Sequence, residues 1–577
     1  MTRGAKGCLL LTGSLLVVLV VVVAAAVMLS GSVQKSTVLE LTISGSIEDD
    51  ADDTIQARLF QAKPTILSDI TLAIERAKTD DKITGLMAVI KPFSMGLGKI
   101  QEIRDSVIDF RSSGKWAHVF METAGEFSGG NSTYYLATAF DDITLAPPGD
   151  VNLFGLFGVS TFLRGTFDKI GIYPDFDSIG KYKNAKDIYT EKKMTAAHRE
   201  ATTQFMQDWL DQMVAGIAEG RHMEKTAVRD LMNKGPFTGE EARDAGLVDH
   251  LGYIDEFEDA VEARNGGDLP KLGFKEYLEK KGKGSGRNRI AVITGMGIIL
   301  TGKSSTDPMT GALMGSDTVV EAFKKARKDK GIKAIVFRVD SPGGSAVASD
   351  LIWRETQLAR KEKPVIISMS DLAASGGYYV SAGATKIVAQ PGTLTGSIGV
   401  VAGKLVTKDL YEWLGLSRDE IQLGDHAAYY YDGKRYSDEE KAIYWKFMHK
   451  VYGKFTQCVA DGRGMTTEAV DQVGQGHVWS GSRAKDLGLV DELGGLSTAV
   501  RLAKTEAGIP DTESVALVFL PEKKSLFESL LWPEEQTATR AVLPEGVGRS
   551  LREVARLSLL QQEKVWLMAP PTPVDAP

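Results

Sequence analysis

The sequence predicts an α/β protein in which one fold is used twice. Three pairs of segments match in the same order along the chain: the strands VLELTISGSI and IAVITGMGII, the stretches that begin at Ser68 and Ser316, and the stretches Phe237–Gly252 and Trp479–Gly494. Within the first copy, β-rich segments alternate with helical patterns of about 10–15 residues, which is typical of parallel βαβ units. The matching segments of each pair are separated by the length of a whole domain, which indicates a duplicated domain rather than a short-repeat solenoid.

The elements of the first copy follow this order. The strand VLELTISG comes first, and the pair Ser68-Asp69 predicts the start of a helix because such side chains cap helix N-termini. The strand GLMAVI, a helix after Gly98 and the strand WAHVFME come next. A long helix is predicted from Thr195 to Gly220, because apolar residues recur there every four positions. In the second copy, Ser316 is the corresponding helix cap.

Five parts of the chain are predicted from this pattern. They are an N-terminal membrane anchor (1–34), a first domain (35–265), a basic and glycine-rich linker (266–289), a second domain (290–507) and a C-terminal tail (508–577). The tail contains the amphipathic stretches SLFESLLW and VGRSLREVARLSLLQQEKVWLM. A helix packed on its own domain is favoured for the tail over a membrane-surface helix or a subunit contact.

The N-terminal leader is apolar from Leu9 to Leu29. A helix of that length covers roughly the 30 Å hydrocarbon core of a bilayer. Arg3 and Lys6 precede the apolar run, and basic residues there hold the N-terminus in the cytoplasm. The alternative is a signal peptide cut near Ala24-Ala25-Ala26. Both interpretations place the body of the protein outside the cytoplasm.

Composition and motifs exclude several classes of function. The net charge of −8 argues against a nucleic-acid partner. The seven histidines lack ligand spacing, so no metal site is predicted. Gly297–Ser304 matches the phosphate-binding loop pattern, but Asp307-Pro308 follows within one turn and opposes the helix that such a loop requires. The sequence therefore predicts no metal and no cofactor.

Ser375 is the candidate nucleophile. It lies in DLAASGGYY, where alanines and glycines remove bulk on both sides and the amide after the serine can stabilise an oxyanion. The run RVDSPGGS (Arg338–Ser345) ends a strand with a glycine pair that can supply a second amide. Both turns follow strands of one βαβ sheet, where such sheets place their sites. The first copy has Asn131 at the position of Ser375.

A serine hydroxyl needs a base to act as a nucleophile. His426 and His477 lie in undistinctive sequence contexts, which leaves a buried, neutral lysine as the remaining candidate. The run GKYKNAK in the first copy contains Lys183, which aligns with Ala427 in the second copy. Lys181 and Lys186 remain open as alternatives.

These motifs resemble the long, duplicated form of signal peptide peptidase A, a family of membrane-anchored serine endopeptidases with a Ser-Lys dyad. The resemblance rests on RVDSPGGS, DLAASGGYY, TLTGSIG and GKYKNAKD. It implies that Ser375 is the nucleophile and that Lys183 is the general base from the other half. It further implies that Ser397 orients the lysine, and that Gly376 and Gly344 form the oxyanion hole.

The same resemblance implies two tandem crotonase/ClpP-like domains behind one transmembrane helix, with the active site between them. It implies remnant signal peptides as substrates and a homo-oligomer, which we expect to be a tetramer. The expected location is the bacterial inner membrane, with the catalytic domains on the periplasmic side. Two other interpretations stay open: a crotonase-like acyl-thioester enzyme, and an inactive scaffold for membrane partners.

Overall fold

The computed structural model describes residues 33–50, 64–126, 129–282, 284, 286–307, 309–522, 556 and 565–570. The strands of the first half are β1 (Thr37–Glu48), β2 (Thr65–Ile66), β3 (Ile83–Ser94), β4 (Trp116–Met121), β5 (Asp142–Leu145), β6 (Asp150–Val151), β7 (Tyr173–Ile179), β8 (Phe237–Thr238), β9 (His250–Leu251) and β10 (Lys271–Gly273). Its helices are α1 (Leu67–Thr79), α2 (Leu97–Arg111), α3 (Asn131–Ala137), α4 (Arg164–Ile170), α5 (Asp187–Thr190), α6 (Ala196–Arg221), α7 (Lys225–Met232), α8 (Gly239–Asp244), α9 (Ile254–Arg264) and α10 (Phe274–Lys281).

The second half and the tail follow. Their strands are β11 (Arg289–Met296), β12 (Ile298–Leu300), β13 (Ser305–Asp307), β14 (Gly311–Gly315), β15 (Ile332–Ser341), β16 (Gly343–Ser345), β17 (Val365–Ala374), β18 (Lys386–Ala389), β19 (Leu394–Gly396), β20 (Val400–Val406), β21 (Val478–Ser480), β22 (Glu492–Leu493), β23 (Ala516–Leu520) and β24 (Trp566–Met568). Their helices are α11 (Ser316–Lys328), α12 (Ala346–Arg360), α13 (Gly376–Ser381), α14 (Lys408–Trp413), α15 (Asp438–Arg463), α16 (Thr467–Val473), α17 (Gly481–Asp486) and α18 (Leu496–Glu506).

Each half contains a parallel sheet with the same strand order. In the first half the order is β10-β1-β3-β4-β5-β9, and in the second half β23-β11-β15-β17 continues through β18 to β22. All of these neighbouring pairs are parallel. Helices cover the sheets, and each half has its own large apolar core. The α/β class predicted from the alternating pattern is therefore confirmed.

A third sheet joins the two halves. Its order is β13-β14-β12-β16-β24-β20-β7, so it contains strands of both halves and the tail. β7 of the first half pairs antiparallel with β20 of the second half along seven residues, from Tyr173 opposite Val406 to Ile179 opposite Val400. Main-chain pairing of this length fixes the position of the segment that follows β7, which contains Lys183.

The long helix of the first half is confirmed. α6 begins after Thr195, whose side chain accepts a hydrogen bond from the His198 amide as an N-cap. The apolar positions that predicted the helix are all buried; they are Phe205, Trp209, Met213 and Ile217.

Three local predictions differ from the structure. Ser68 and Ser316 do not cap their helices: the N-cap residues are Ile66 and Gly315, and neither makes a side-chain cap. Both serines are buried in the first helical turn, so packing decides the helix start. The segment predicted as a linker contains β10 and α10, and β10 extends the first sheet by pairing with β1. The segment predicted as the start of the tail contains β23, which extends the second sheet in the same way.

The predicted anchor, Leu9–Leu29, lies outside the described residues, and so does most of the predicted amphipathic tail. Of the helices that the structure describes, none combines the length and the apolar character needed to cross a bilayer.

Candidate active site

Ser375 lies in a sharp turn between β17 and α13. Its φ and ψ are 56° and −113°, a conformation that residues with a side chain rarely adopt. Its amide donates to the Gly396 carbonyl at 2.8 Å, and its carbonyl accepts from the Tyr379 amide at 2.8 Å. These bonds hold the strained turn between a neighbouring strand and the following helix.

The glycines after Ser375 are required by close packing. A Cβ on Gly376 would lie 2.7 Å from Ser349 Oγ, and a Cβ on Gly377 would lie 2.7 Å from the Ser341 carbonyl oxygen. Gly376 and Gly377 therefore let the turn approach the end of β15 and the start of α12. The second predicted oxyanion residue, Gly344, lies between these two elements in β16.

The segment that carries Lys183 is fastened to the second half. After β7, the amide of Tyr182 donates to the Gln475 carbonyl at 2.7 Å, and the Lys183 amide donates to the Gly180 carbonyl at 3.1 Å. Gly180 has a φ of +113°, and a Cβ there would lie 2.5 Å from the Gln475 carbonyl carbon. A glycine is needed at that position, and it allows the chain to turn Lys183 into the interface.

Lys183 and Ser375 meet in this interface. Lys183 Nζ lies 2.7 Å from Ser375 Oγ, 2.9 Å from the Ser397 carbonyl oxygen and 3.0 Å from Ser397 Oγ. The lysine is 2% exposed and the two serines are fully buried. The structure thus brings together a hydroxyl of the second half and an amine of the first half.

Burial lowers the pKa of Lys183 well below its ordinary value. Removal from water penalises the charged ammonium form, and no carboxylate is placed to offset that penalty among the residues that the structure describes. Burial therefore favours the neutral amine, whose lone pair can accept a proton.

The other two lysines of the run are placed differently. The side chain of Lys181 is 62% exposed and pairs with Glu200 at 3.6 Å, and its Nζ also contacts the Tyr182 hydroxyl at 2.8 Å. Lys186 lies 3.5 Å from Asp187. A bond to Tyr182 and the charge of Glu200 raise the pKa of Lys181. Both residues face acidic partners rather than the serine.

Ser397 lies after β19 with a φ of 51°, and its amide donates to the His477 carbonyl at 2.7 Å. This backbone conformation directs both its carbonyl and its hydroxyl to Lys183 Nζ. Ser397 therefore fixes the position of the amine that faces Ser375.

The two predicted oxyanion residues are neighbours. A Cβ on Gly376 would lie 3.1 Å from the Gly344 nitrogen, so the two main chains are in close approach beside Ser375. Gly343 and Gly344 have φ values of 97° and 156°, which only glycine adopts without strain. The Ser341 hydroxyl accepts from the Gly343 amide at 3.1 Å and holds the turn between β15 and β16.

Asn131, which aligns with Ser375 in the first half, has a structural role. Its side-chain amide donates to the Gly155 carbonyl at 2.8 Å, and its Oδ1 accepts from the Phe154 amide at 3.1 Å. The histidines considered for a triad do not meet Ser375. His426 is exposed, and the His477 ring stacks on Trp479 while its Nδ1 contacts the Val478 carbonyl.

Sequence reasoning missed a buried ionic network beside the site. Lys99 of α2 lies 2.7 Å from Asp340 and 3.3 Å from Asp371. Although burial opposes its charge, these carboxylates raise the pKa of Lys99 well above its ordinary value. Asp340 also accepts from the Leu372 amide at 3.1 Å. The network therefore connects the first half to the end of β15 and to β17, the strands that lead to Gly344 and Ser375.

Arg338 extends this network. It donates to Asp49 at 2.8 Å and lies 2.8 Å from Glu102, both in the first half. The signal in the sequence was a pair of charged residues, Arg338 and Asp340, directly after the apolar run Ala334–Phe337. The sequence could not show which residues of the first half would neutralise them.

The model of peptidase family S49 matches the chain twice, over residues 110–266 and 357–510. The chain is 34% identical over 508 residues to the chloroplastic serine protease SPPA of Arabidopsis thaliana, which covers 86% of this chain and 73% of that protein. It is 31% identical over 497 residues to Protease 4 of Salmonella typhi, which covers 83% of this chain and 78% of that protein.

Two shorter matches complete the comparison. A putative signal peptide peptidase SppA of Enterococcus faecium is 35% identical over 190 residues, 33% of this chain and 55% of that protein. Among solved structures, a point mutant of ClpP1 from Listeria monocytogenes overlaps 36% of this chain and 94% of its own, with a TM-score of 0.24 and 14% identity. That score is too low to bear on the fold.

Proposed function

The chain belongs to peptidase family S49, and we propose that it is a serine endopeptidase in which Ser375 and Lys183 form the catalytic dyad. The observation that carries this proposal is the 2.7 Å contact between Lys183 Nζ and Ser375 Oγ inside a buried interface. Membership of a peptidase family favours peptide hydrolysis over the acyl-thioester and scaffold interpretations.

A neutral lysine can satisfy all three contacts of Lys183 Nζ. A neutral amine has two hydrogens and one lone pair. Donation to the Ser397 carbonyl and to Ser397 Oγ uses both hydrogens. The lone pair is then directed to Ser375 Oγ, whose hydroxyl donates to it. In this arrangement Lys183 removes the serine proton as Ser375 attacks the peptide carbonyl.

The main-chain amides of Gly376 and Gly344 stabilise the oxyanion that develops during this attack. Their placement is supported by the close approach of the two glycine turns. Lys183 next returns the proton to the leaving amine, which releases the first product. Lys183 then activates water for attack on the acyl-enzyme, and Ser375 is regenerated.

The proposed substrates are apolar peptides, in particular remnant signal peptides. The name of the Enterococcus faecium relative supports this substrate class. We place the protein in the bacterial inner membrane through the apolar run Leu9–Leu29, with the catalytic halves on the periplasmic side. An enzyme held at the bilayer meets apolar peptides where they partition.

The proposed assembly is a head-to-tail homo-oligomer. In the alignment of the two halves that matches Gly180 with Gly424, residues 417–423 correspond to β7. Residues 156–162 correspond to β20. Within one chain β7 pairs with β20, whereas Ile421 and Phe157 of the other two segments are 92% and 81% exposed. Pairing of these segments between neighbouring copies would repeat the internal interface. A closed tetramer is the proposed form.

Light scattering tests this assembly. The full chain is expected as an oligomer, and Ile421→Lys should shift it towards the monomer because it places a charge in the proposed interface. A monomeric full chain would contradict the proposal, and so would an oligomer that Ile421→Lys leaves unchanged.

Fluorophosphonate labelling with peptide mapping tests the proposed function. The full chain should be labelled at Ser375 and should hydrolyse apolar peptides. Ser375→Ala should lose both properties while it keeps its circular dichroism spectrum. Labelling at another serine, or equal turnover by Ser375→Ala, would refute the proposed nucleophile.

A further inference from the structure

The end of the tail returns to the active site as a strand. β24 lies between β16 and β20 and is antiparallel to both. Met568 is opposite Gly343, Leu567 is opposite Gly344 and Trp566 is opposite Ser345. The Ala569 amide donates to the Pro342 carbonyl at 2.7 Å, which continues this pairing. This main-chain pairing stops before Pro570, since proline cannot donate a main-chain hydrogen bond.

Without β24, strands β16 and β20 would present two facing edges. Neighbouring strands lie about 4.8 Å apart, so the gap is about 10 Å wide, which is the space for one extended chain. We call this gap the strand slot. Any extended peptide can form the same main-chain bonds to such edges. One wall of the slot is Gly343–Ser345, which contains the proposed oxyanion residue Gly344.

Side chains of β24 alternate between two apolar surroundings, as expected for a strand. Trp566 and Met568 pack in the cluster that contains Phe176 and Tyr189 of the first half. Leu567 points the other way, into the core of the second half. All three tail side chains are buried. The slot therefore accepts apolar side chains on both faces.

The occupied slot adjoins the dyad. A Cβ on Gly343 would collide with both the Leu567 carbonyl and the Gly376 amide, so the tail main chain passes close to the amide that follows Ser375. Beyond the strand, Ala569 and Pro570 line a pocket with Tyr182 and Asn184, the two neighbours of Lys183. Ser375 has no exposed surface in this arrangement.

We propose that residues 565–570 occupy the slot in which the peptide substrate binds, and that they inhibit the enzyme from within the same chain. The proposal rests on the proposed function, because it assigns regulation to the same site. The tail and an extended apolar substrate would need the same edges of β16 and β20, so only one of them binds at a time.

The expected inhibition is moderate. Covalent attachment holds a segment near its site at an effective concentration of roughly 1 mM. If the free segment binds with a Kd of roughly 0.1 mM, the slot is open about a tenth of the time. Deletion of residues 565–577 should then raise kcat/KM about tenfold and leave kcat unchanged, because saturating substrate displaces the tail.

Two variants and one peptide test this inference. The variants are a chain that ends at Lys564 and the full-length Leu567→Asp, which places a carboxylate in an apolar core. Both should raise kcat/KM for an apolar peptide. The synthetic peptide VWLMAP should inhibit the shortened chain competitively, whereas a scrambled peptide should not. Full-chain inhibition should be independent of enzyme concentration, and inhibition that deepens with concentration would refute the same-chain assignment.

Fluorophosphonate labelling separates the two possible failures. If neither the full chain nor the shortened chain is labelled at Ser375 or hydrolyses peptide, the proposed function fails. If both are labelled and turn over equally, and VWLMAP does not compete, the enzyme stands and the inference on the tail is overturned. If both variants lose activity together with their folded circular dichroism spectrum, the tail is a structural strand and the inference is again overturned.

Discussion

Replacing Lys183 by methionine is the perturbation that separates chemistry from packing most clearly. Methionine fills nearly the same volume, so the buried interface keeps its packing. The substitution removes the only group that contacts Ser375 Oγ by a hydrogen bond among the residues that the structure describes. A serine without a base is a poor nucleophile, and we expect kcat to fall while the fold is kept.

The size of the loss follows from the role of the amine. In the proposed mechanism Lys183 Nζ is the proton acceptor for attack and the proton donor for the leaving group, so both steps lose their catalyst. Removing the base of a serine hydrolase typically costs about 10⁴-fold or more in kcat. That factor corresponds to about 5.5 kcal/mol in activation free energy. Lys181→Met and Lys186→Met are matched controls, and each should change kcat by less than about threefold.

The assay is steady-state hydrolysis of one apolar peptide by all four proteins, with thermal unfolding measured in parallel. The fluorophosphonate labelling rate at Ser375 reports the first step alone. The reasoning fails if Lys183→Met keeps more than a tenth of the wild-type kcat. It also fails if Lys181→Met loses activity to the same extent, because Lys181 is exposed and paired with Glu200.

Three further predictions follow from the same geometry. Activity should rise with pH as Lys183 loses its proton, and the rise should be complete well below the pH at which a free lysine titrates, because burial lowers its pKa; a pH–rate profile that rises only near pH 10.5 would contradict this. Ser397→Ala removes one acceptor from Lys183 Nζ and should lower kcat by roughly tenfold with little change in KM, and unchanged kinetics would exclude the orienting role. Lys99→Met leaves Asp340 without its buried partner and should lower the free energy of unfolding by about 3–5 kcal/mol in urea titrations. The more exposed ion pair of Lys78 and Asp109 provides the control, since Lys78→Met should lower the free energy of unfolding by less than about 1 kcal/mol. Equal losses of stability in the two variants would refute the interface role of Lys99.

The sequence predicted the parts of the site that depend on residues close to one another along the chain. Two glycines follow Ser375 because the turn leaves no room for a Cβ at either position, and that pattern is visible without coordinates. The aligned copies have a lysine in one half and an alanine in the other, and the resemblance to signal peptide peptidase A implied Lys183 as the base. The choice among Lys181, Lys183 and Lys186 required coordinates, because only burial and direction distinguish these residues.

The parts that the sequence did not predict depend on contacts between distant segments. The pairing of β7 with β20 and the insertion of β24 beside β16 join residues far apart in the chain, and no local pattern encodes such partners. β10 has three residues, too few for a period-two signal, so its segment resembled a linker. Ser68 did not cap its helix because the residue is buried against the core.

The protonation state of Lys183 tests the central claim most directly. The chain can be labelled with ¹³C at lysine Cε, and the Lys183 resonance can be assigned by its loss in Lys183→Arg. We predict that this resonance titrates well below those of exposed lysines such as Lys181, in the same range in which peptide hydrolysis rises. A Lys183 that stays protonated throughout the pH range of full activity would contradict the dyad.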